Sequence, residues 1–285
     1  MIYLKKFRFP TWKDEDYFIG DACDPKRNAF LGDKRSDYYF HHFYPFRVLS
    51  EKDLCEVEFA PITIFHGGNG TGKSTALNVI SEAVKAHRET PYNTSCWMSH
   101  YIKLCSFEVE AEWKKDLGSI THVMTSDEVF KTMLENRMTE EQRLRKSEIL
   151  RNTTNRKTSL NRFLSEMIGN IQRGYSNGES GMMYLAEQIN ELGLYLLDEP
   201  ENSLSSEYQE KLAQLINYTA GQNSSQFIIA THSPYFLSIP HAKIYDLDNN
   251  PAKVSRWWEL ENMQSLYRLF KKYDKWFENN ANCER

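Results

Sequence analysis

The sequence predicts an α/β fold: a mixed, mainly parallel central sheet, an antiparallel layer at the N-terminus and an inserted helical subdomain, all in one domain over residues 1–285. Three patterns predict it. The apolar run "PITIF" enters a glycine-rich turn, and after that turn Ala76, Leu77, Ile80, Ala83 and Val84 fall at helical spacing. From residue 194 onward the apolar runs "LYLL", "FIIA" and "KIYDL" read as strands, with the amphipathic stretch "QEKLAQLINYTA" between the first two. Strands alternating with helices argue for a parallel sheet with helices on its faces. Residues 1–60 are instead rich in aromatic and turn residues, the pattern of short antiparallel strands.

In chain order, "DYYFHHFYPFRVLS" and the alternating "CEVEFAP" supply the strands of the N-terminal layer. "PITIFHGGNG" is then a strand running into a glycine loop. Between roughly 127 and 172 the period is helical, with Val129, Phe130, Met133 and Leu134, and later Leu160, Phe163, Leu164, Met167, Ile168 and Ile171, which places the helical subdomain at about 120–182. The rest belongs to the parallel core, and "LYRLFKKYDKWF" reads as a C-terminal helix.

Bulk composition excludes more than it assigns. A chain of 285 residues can bury a sizeable core. The formal charge of −4 gives no global attraction to nucleic acid or acidic membranes, so any electrostatic partner must meet a local patch. The five cysteines are odd in number and form no C-x-x-C, which argues against both a zinc site and a disulfide framework. No apolar run reaches the length of a membrane span, and "MIYLKKFRFP" lacks the apolar core of a signal peptide. A cytoplasmic protein without membrane contact is expected.

The stretch "HGGNGTGKST" carries the first chemistry. Gly67, Gly72, Lys73 and Ser74 satisfy G-x-x-x-x-G-K-[ST] between a strand and a helix. Glycines let the backbone wrap close to phosphate, so that N–H groups along Gly67, Gly68, Asn69, Gly70, Thr71, Gly72, Lys73, Ser74 and Thr75 face its oxygens at a helix N-terminus. Lys73 would neutralise the β and γ phosphates, and the Ser74 hydroxyl would reach Mg²⁺. The expected ligand is a nucleoside triphosphate with magnesium.

The second site element is "LYLLDEPE". Four apolar residues deliver Asp198 and Glu199 to the end of a central strand, where Asp198 can hold Mg²⁺ and Glu199 can polarise an attacking water. Alone, the pair also fits a solvated strand-to-loop turn. Beside a phosphate loop, the metal and general-base reading is preferred.

A third stretch, "YSNGES", lies 20 residues before Asp198. The order of phosphate loop, S-x-G-[EQ], aliphatic run with D-E-P, and then "ATHSP" resembles the ABC-type ATPase superfamily. It looks most like the soluble SMC and RecF relatives, and in particular small predicted ATPases carrying "NGES", "LYLLDEPE" and "QFIIATHSP". The resemblance spans about residues 60–250. It implies an ABC-type P-loop NTPase head that hydrolyses ATP and pairs head to tail with a second copy. Ser176, Gly178 and Glu179 would then reach the γ-phosphate held by the other copy's Lys73, and His232 would sense that phosphate. Outside this context a histidine in "THS" reads as a loop or capping residue.

Three departures accompany the resemblance. Ser205 stands where the family often has Asp. Residues 75–141 contain no Gln to match the one transporter ATPases carry, and Ser126 or Asp127 in "THVMTSDEVF" is either a substitute ligand or a helix cap. Only 102 positions separate Ser74 from Ser176, too few for the coiled-coil arm of large SMC proteins.

Two further stretches carry open readings. Residues 143–162 hold seven basic residues against Glu148, which suits either a nucleic-acid backbone or a solvated helix face. Tyr44 or Phe46 could stack on adenine, or could be core. His41 and His42 are adjacent and would face opposite ways on a strand, a poor metal pair. The reading is an ATPase of the non-transporter class, serving DNA maintenance, repair or phage defence, with an unidentified protein as a further partner. The alternatives are the ATPase subunit of a membrane transporter and an ATP-gated regulatory module with little turnover.

Overall fold

The computed structural model describes residues 2–22, 43–88, 90–135, 177–189, 192–222 and 225–281. The first elements are β1 (Leu4–Arg8), α1 (Trp12–Ala22), β2 (Glu56–Glu58), β3 (Ile62–His66) and α2 (Lys73–Ala83). Next come α3 (Met98–Leu104), β4 (Ser106–Val109), β5 (Thr121–Thr125), α4 (Ser126–Glu135) and α5 (Asn177–Gln188). The remainder is β6 (Gly193–Asp198), α6 (Ser206–Gly221), β7 (Ser225–Thr231), α7 (Pro234–Leu237), β8 (Lys243–Asp246), β9 (Lys253–Ser255), α8 (Glu261–Lys272) and α9 (Asp274–Ala281).

The central sheet has the order β5-β6-β7-β3-β8-β9, parallel throughout except for β9. Its inner strands read as unbroken apolar runs because both faces are covered. Leu194, Leu196, Ile228 and Ala230 face α2 and the N-terminal layer, while Tyr195, Leu197, Phe227 and Ile229 face α5 and α6. The chain leaves β3 for the far β5 edge and returns through β6 and β7, and β8 then pairs on the other side of β3. Ligands of open α/β sheets bind at such a switch point, beyond the carboxyl ends of the strands.

A second sheet, β2-β1-β4, is antiparallel. Two buried side chains fasten it to the central sheet: Tyr245 of β8 accepts from the Glu58 N–H at 2.9 Å, and Gln226 of β7 accepts from the Tyr3 and Leu4 N–H groups at 2.9 Å each and donates to the Leu4 carbonyl at 2.9 Å. Polar groups buried between two sheets must be paired, and this glutamine pairs three at once.

Four expectations change in detail. The antiparallel layer draws its third strand, β4, from beyond residue 60. Within "DYYFHHFYPFRVLS" the described residues form turns that lead into a single 3₁₀ turn, Ser50–Lys52, and no strand. Phe46 is buried there, stacked on Phe18 with ring centres 5.0 Å apart and edge-on to Tyr101, so it is core and cannot stack on a base. β5 is the edge strand of the central sheet, although the helical subdomain is expected from about 120. Of the helices described from that span, α4 and α5 pack against each other. The C-terminal stretch forms two helices, broken at Tyr273. No helix among the described residues is long and apolar enough to cross a membrane.

Candidate functional site

β3 is buried along its whole length and ends at His66, and the phosphate loop rises from Gly67. Gly67 has φ +155°, and a Cβ there would stand 2.5 Å from Thr71 Oγ1. Gly72 has φ +100°, and a Cβ there would press on Val48 and Leu49 at 3.1 Å. Only glycine meets both demands without strain. Thr71 Oγ1 donates to the Gly68 carbonyl at 2.9 Å, and Ala76 N donates to the Gly72 carbonyl at 2.8 Å to begin α2. Asn69 and Gly70 are exposed at the tip, while Thr75 is buried at the helix start.

Lys73 is buried, and its ammonium donates to the carbonyls of Gly67 at 2.8 Å and Gly68 at 3.0 Å. It also lies 3.4 Å from Glu199 Oε1. The cation thus sits over the loop with its donors on groups that a phosphate could replace.

Ser74 Oγ donates to Asp198 Oδ1 at 2.9 Å. Burial pushes the Asp198 carboxyl up from 3.8 to about 6; the Ser74 hydrogen bond opposes this, Glu199 adds to it, and the charges of Arg88 and Lys73 oppose it. Glu199 follows with φ +48°, a left-handed backbone that is costly for a non-glycine residue. Its N–H donates to the Ala230 carbonyl at 2.9 Å, and its Oε2 accepts from Asn202 Nδ2 at 3.0 Å.

His232 follows the last residue of β7, and its ring is about half exposed. Its N–H donates to Glu201 Oε1 at 2.9 Å. β3, β6 and β7 thereby bring Lys73, Ser74, Asp198, Glu199 and His232 to one rim of the sheet. Gly178 and Glu179 lie in the first turn of α5. Ser176 and the basic stretch 143–162 lie outside the described residues, as do His41 and His42.

Beside the loop a cavity of about 320 Å³ is lined by Ser74, Asp198 and Glu199 together with Arg88, Ser126 and Asp127. The cap of α4 is made by its neighbour: the Glu128 N–H donates to Thr125 Oγ1 and the Thr125 N–H donates to Glu128 Oε2, each at 3.3 Å. Ser126 and Asp127 therefore face the same space as the metal candidates, while Thr125 and Glu128 close the helix end. Tyr44 Oη accepts from Asn78 Nδ2 at 3.5 Å and is half-buried beside α2.

Sequence reading missed three groups. Arg88 donates to Asn78 Oδ1 at 2.6 Å and lies over the Tyr92 ring. Asp248 Oδ1 accepts from the Gly68 N–H at 2.8 Å, tying the phosphate loop to the end of β8. Glu201 holds the backbone and ring of His232. Asp248 and Glu201 are set by contacts distant in sequence and Arg88 by its place in the cavity beside Asp198, and only Glu201 had a local sign, its place in "DEPE".

Comparison with known proteins follows the same outline. The family model described as "ABC transporter" matches residues 55–202, and one described as "AAA domain, putative AbiEii toxin, Type IV TA system" matches residues 176–238. No curated protein matches the sequence. Among solved structures, the SMC head domain from Thermotoga maritima is 14% identical with a TM-score of 0.41, the match covering 70% of this chain and 92% of that one. A dimeric bacterial ABC transporter cassette, MJ0796, is 14% identical with a TM-score of 0.39, over 71% and 88% of the two chains. A metal-chelate type ABC transporter in an inward-facing conformation is 18% identical with a TM-score of 0.40, over 76% and 80%. Likeness at that level carries no argument about function. The first family model does, because it spans more than half of the chain and covers the phosphate loop, β6 and the carboxylate pair, so this chain belongs to the ABC-type family of P-loop ATPases.

Proposed function

We propose that the protein binds ATP with magnesium and hydrolyses it to ADP and phosphate, two copies joining head to tail so that each completes the other's site. One contact carries the reading. The Ser74 hydroxyl and the Asp198 carboxylate, 124 positions apart in sequence, meet at 2.9 Å at the mouth of the phosphate loop. Hydroxyl and carboxylate oxygens are the hard donors that magnesium prefers. The raised Asp198 carboxyl is the state that a nearby cation reverses. When bound, magnesium supplies charge neutralisation at the phosphate oxygens.

The chain's own residues divide the remaining work. Lys73 exchanges the Gly67 and Gly68 carbonyls for the β and γ phosphates, and the loop N–H groups hold the same oxygens. Glu199, fixed by Asn202, orients the water and accepts its proton. Gly178 and Glu179, with Ser176, cover the γ-phosphate from the second copy, and His232 reports its presence. Positioning and charge complementarity provide the rate. We place the protein outside the transporters because Glu179 stands where they carry Gln and residues 75–141 contain no Gln. The conformational cycle would pass to a protein or to nucleic acid in DNA maintenance, repair or phage defence, with residues 143–162 as the surface for a phosphate backbone.

Phosphate release from Mg-ATP tests this. Glu199→Gln should lose about 10²–10⁴-fold in turnover, the range for a general base, while still binding ATP. Wild-type turnover below roughly 0.001 per second, far under the usual enzyme range, would overturn the hydrolytic reading and leave an ATP-gated module.

A further inference from the structure

We propose that Glu201 is the positioning residue of His232: its buried carboxylate keeps a proton on Nδ1 and so fixes Nε2 as the nitrogen offered to a ligand. Glu201 sits in the one-turn 3₁₀ helix Pro200–Ser203 that follows Glu199, with its side chain 5% exposed. Its Oε1 gathers three groups from the end of β7. It accepts from Thr231 Oγ1 at 2.6 Å and from the His232 N–H at 2.9 Å, and it lies 3.3 Å from His232 Nδ1.

The chemistry of the pair follows from what each atom can do. An ionised carboxylate only accepts hydrogen bonds, so a ring nitrogen facing it is stable only as N–H. A neutral imidazole carries one such proton, and placing it on Nδ1 leaves the lone pair on Nε2. Glu201 also fixes the ring's point of attachment, because the same oxygen holds the His232 backbone N–H. The turn itself is anchored. Gln209 of α6 donates to the carbonyl of Glu201 at 3.3 Å and to that of Leu204 at 3.0 Å, and it accepts from Ser233 Oγ at 2.7 Å. Glu201 Oε2 is buried and has no hydrogen-bond partner among the described residues. A half-satisfied buried carboxylate is costly, and a Gln would bring an N–H₂ donor to that place. The cost is understandable where the negative charge is needed beside a histidine.

The consequence for the cycle rests on the ATPase reading. Glu199 and Glu201 leave the same turn at the end of β6, one toward Lys73 and the other toward His232, so movement of the turn displaces the general base and the sensor together. Glu201 thus has no direct part in the reaction and acts through the ring it holds.

Two measurements test the assignment. The first is ¹⁵N spectroscopy of histidine side chains in the nucleotide-free full chain at pH 8, with His232 identified by its loss in His232→Gln. Wild type should show the Nδ1–H form, and Glu201→Ala, which removes the acceptor facing Nδ1, should show a mixture of both forms. Wild-type His232 in the Nε2–H form, or a Glu201→Ala spectrum unchanged from wild type, would overturn the proposal. The wild-type spectrum decides even if the variant does not fold. The second is steady-state turnover. Glu201→Gln, which keeps the acceptor, should cost little, whereas Glu201→Ala should lower kcat by about 10²-fold, the cost of a misplaced group, with KM for ATP little changed. His232→Gln should add nothing further in the Glu201→Ala background, whereas additive losses would overturn the coupling. Absence of turnover in wild type would sink the ATPase reading and leave the spectroscopic result standing.

Discussion

At the residue scale Asp198 has the most distinctive chemistry. Its carboxyl is raised from 3.8 to about 6, chiefly by burial, so in the absence of metal the folded protein binds more protons than the unfolded chain between those values. Stability of the metal-free protein therefore falls as pH rises across that window, and above about 6 the full penalty of a buried charge is present. Asp198→Asn removes the charge and leaves an acceptor for Ser74. We expect it to stabilise the metal-free protein at pH 7 by about 1–3 kcal/mol, from two pKa units at 1.36 kcal/mol each and discounted for coupling to Glu199. A rise of a few degrees in Tm would register this, together with loss of magnesium-dependent ATP binding. In wild type the same binding should weaken as pH falls through about 6, because a proton then competes with the cation. An unchanged or lower Tm in Asp198→Asn at pH 7 would refute the burial argument.

At the scale of elements, the strand–loop–helix unit was legible because everything that makes it is local. Glycines at 67 and 72, a lysine and a hydroxyl follow an apolar run, and their spacing alone dictates the loop. β6 was legible for the same reason, as "LYLLDE" states its burial and its chemistry in six letters. The joins between elements were not legible. β4 reaches β1 across about a hundred residues, and Phe46 turns inward from a stretch that alternates like a strand. Gln226 shows the difficulty most plainly. The Gln in "SQFIIAT" looks like the solvent face of a strand, yet it is fully buried and satisfies three backbone groups of Tyr3 and Leu4 where β1 begins. Gln226→Leu keeps the volume and strands those groups, each costing about 1–3 kcal/mol when left unpaired. We expect amide exchange to lose protection through β1 and β2 while β3, β6 and β7 stay protected. Uniform loss across both sheets would mean that the layers do not separate and that the bolt is not local.

At the scale of the whole molecule, the rim of the sheet assembles Lys73, Ser74, Asp198, Glu199 and His232 from one chain, while Gly178 and Glu179 begin a helix on the other side of the central sheet's core from α2. A head-to-tail pair would resolve that separation by setting each α5 start against the other copy's loop. Glu199→Gln, which should bind ATP without turning it over, is the background in which such a pair would accumulate. Light scattering should then report one chain's mass, 33.5 kDa, without nucleotide and twice that mass with ATP and magnesium. Adding Ser176→Arg should abolish the doubling while leaving ATP binding intact, because the bulky cation would sit where one copy meets the phosphate of the other. Doubling that survives Ser176→Arg would place the interface elsewhere. Mass that never responds to ATP would mean the site is completed by a different protein, and the search would turn to what covers the exposed aromatic face of α8 and α9, where Tyr267, Phe270, Trp276 and Phe277 are more than half exposed.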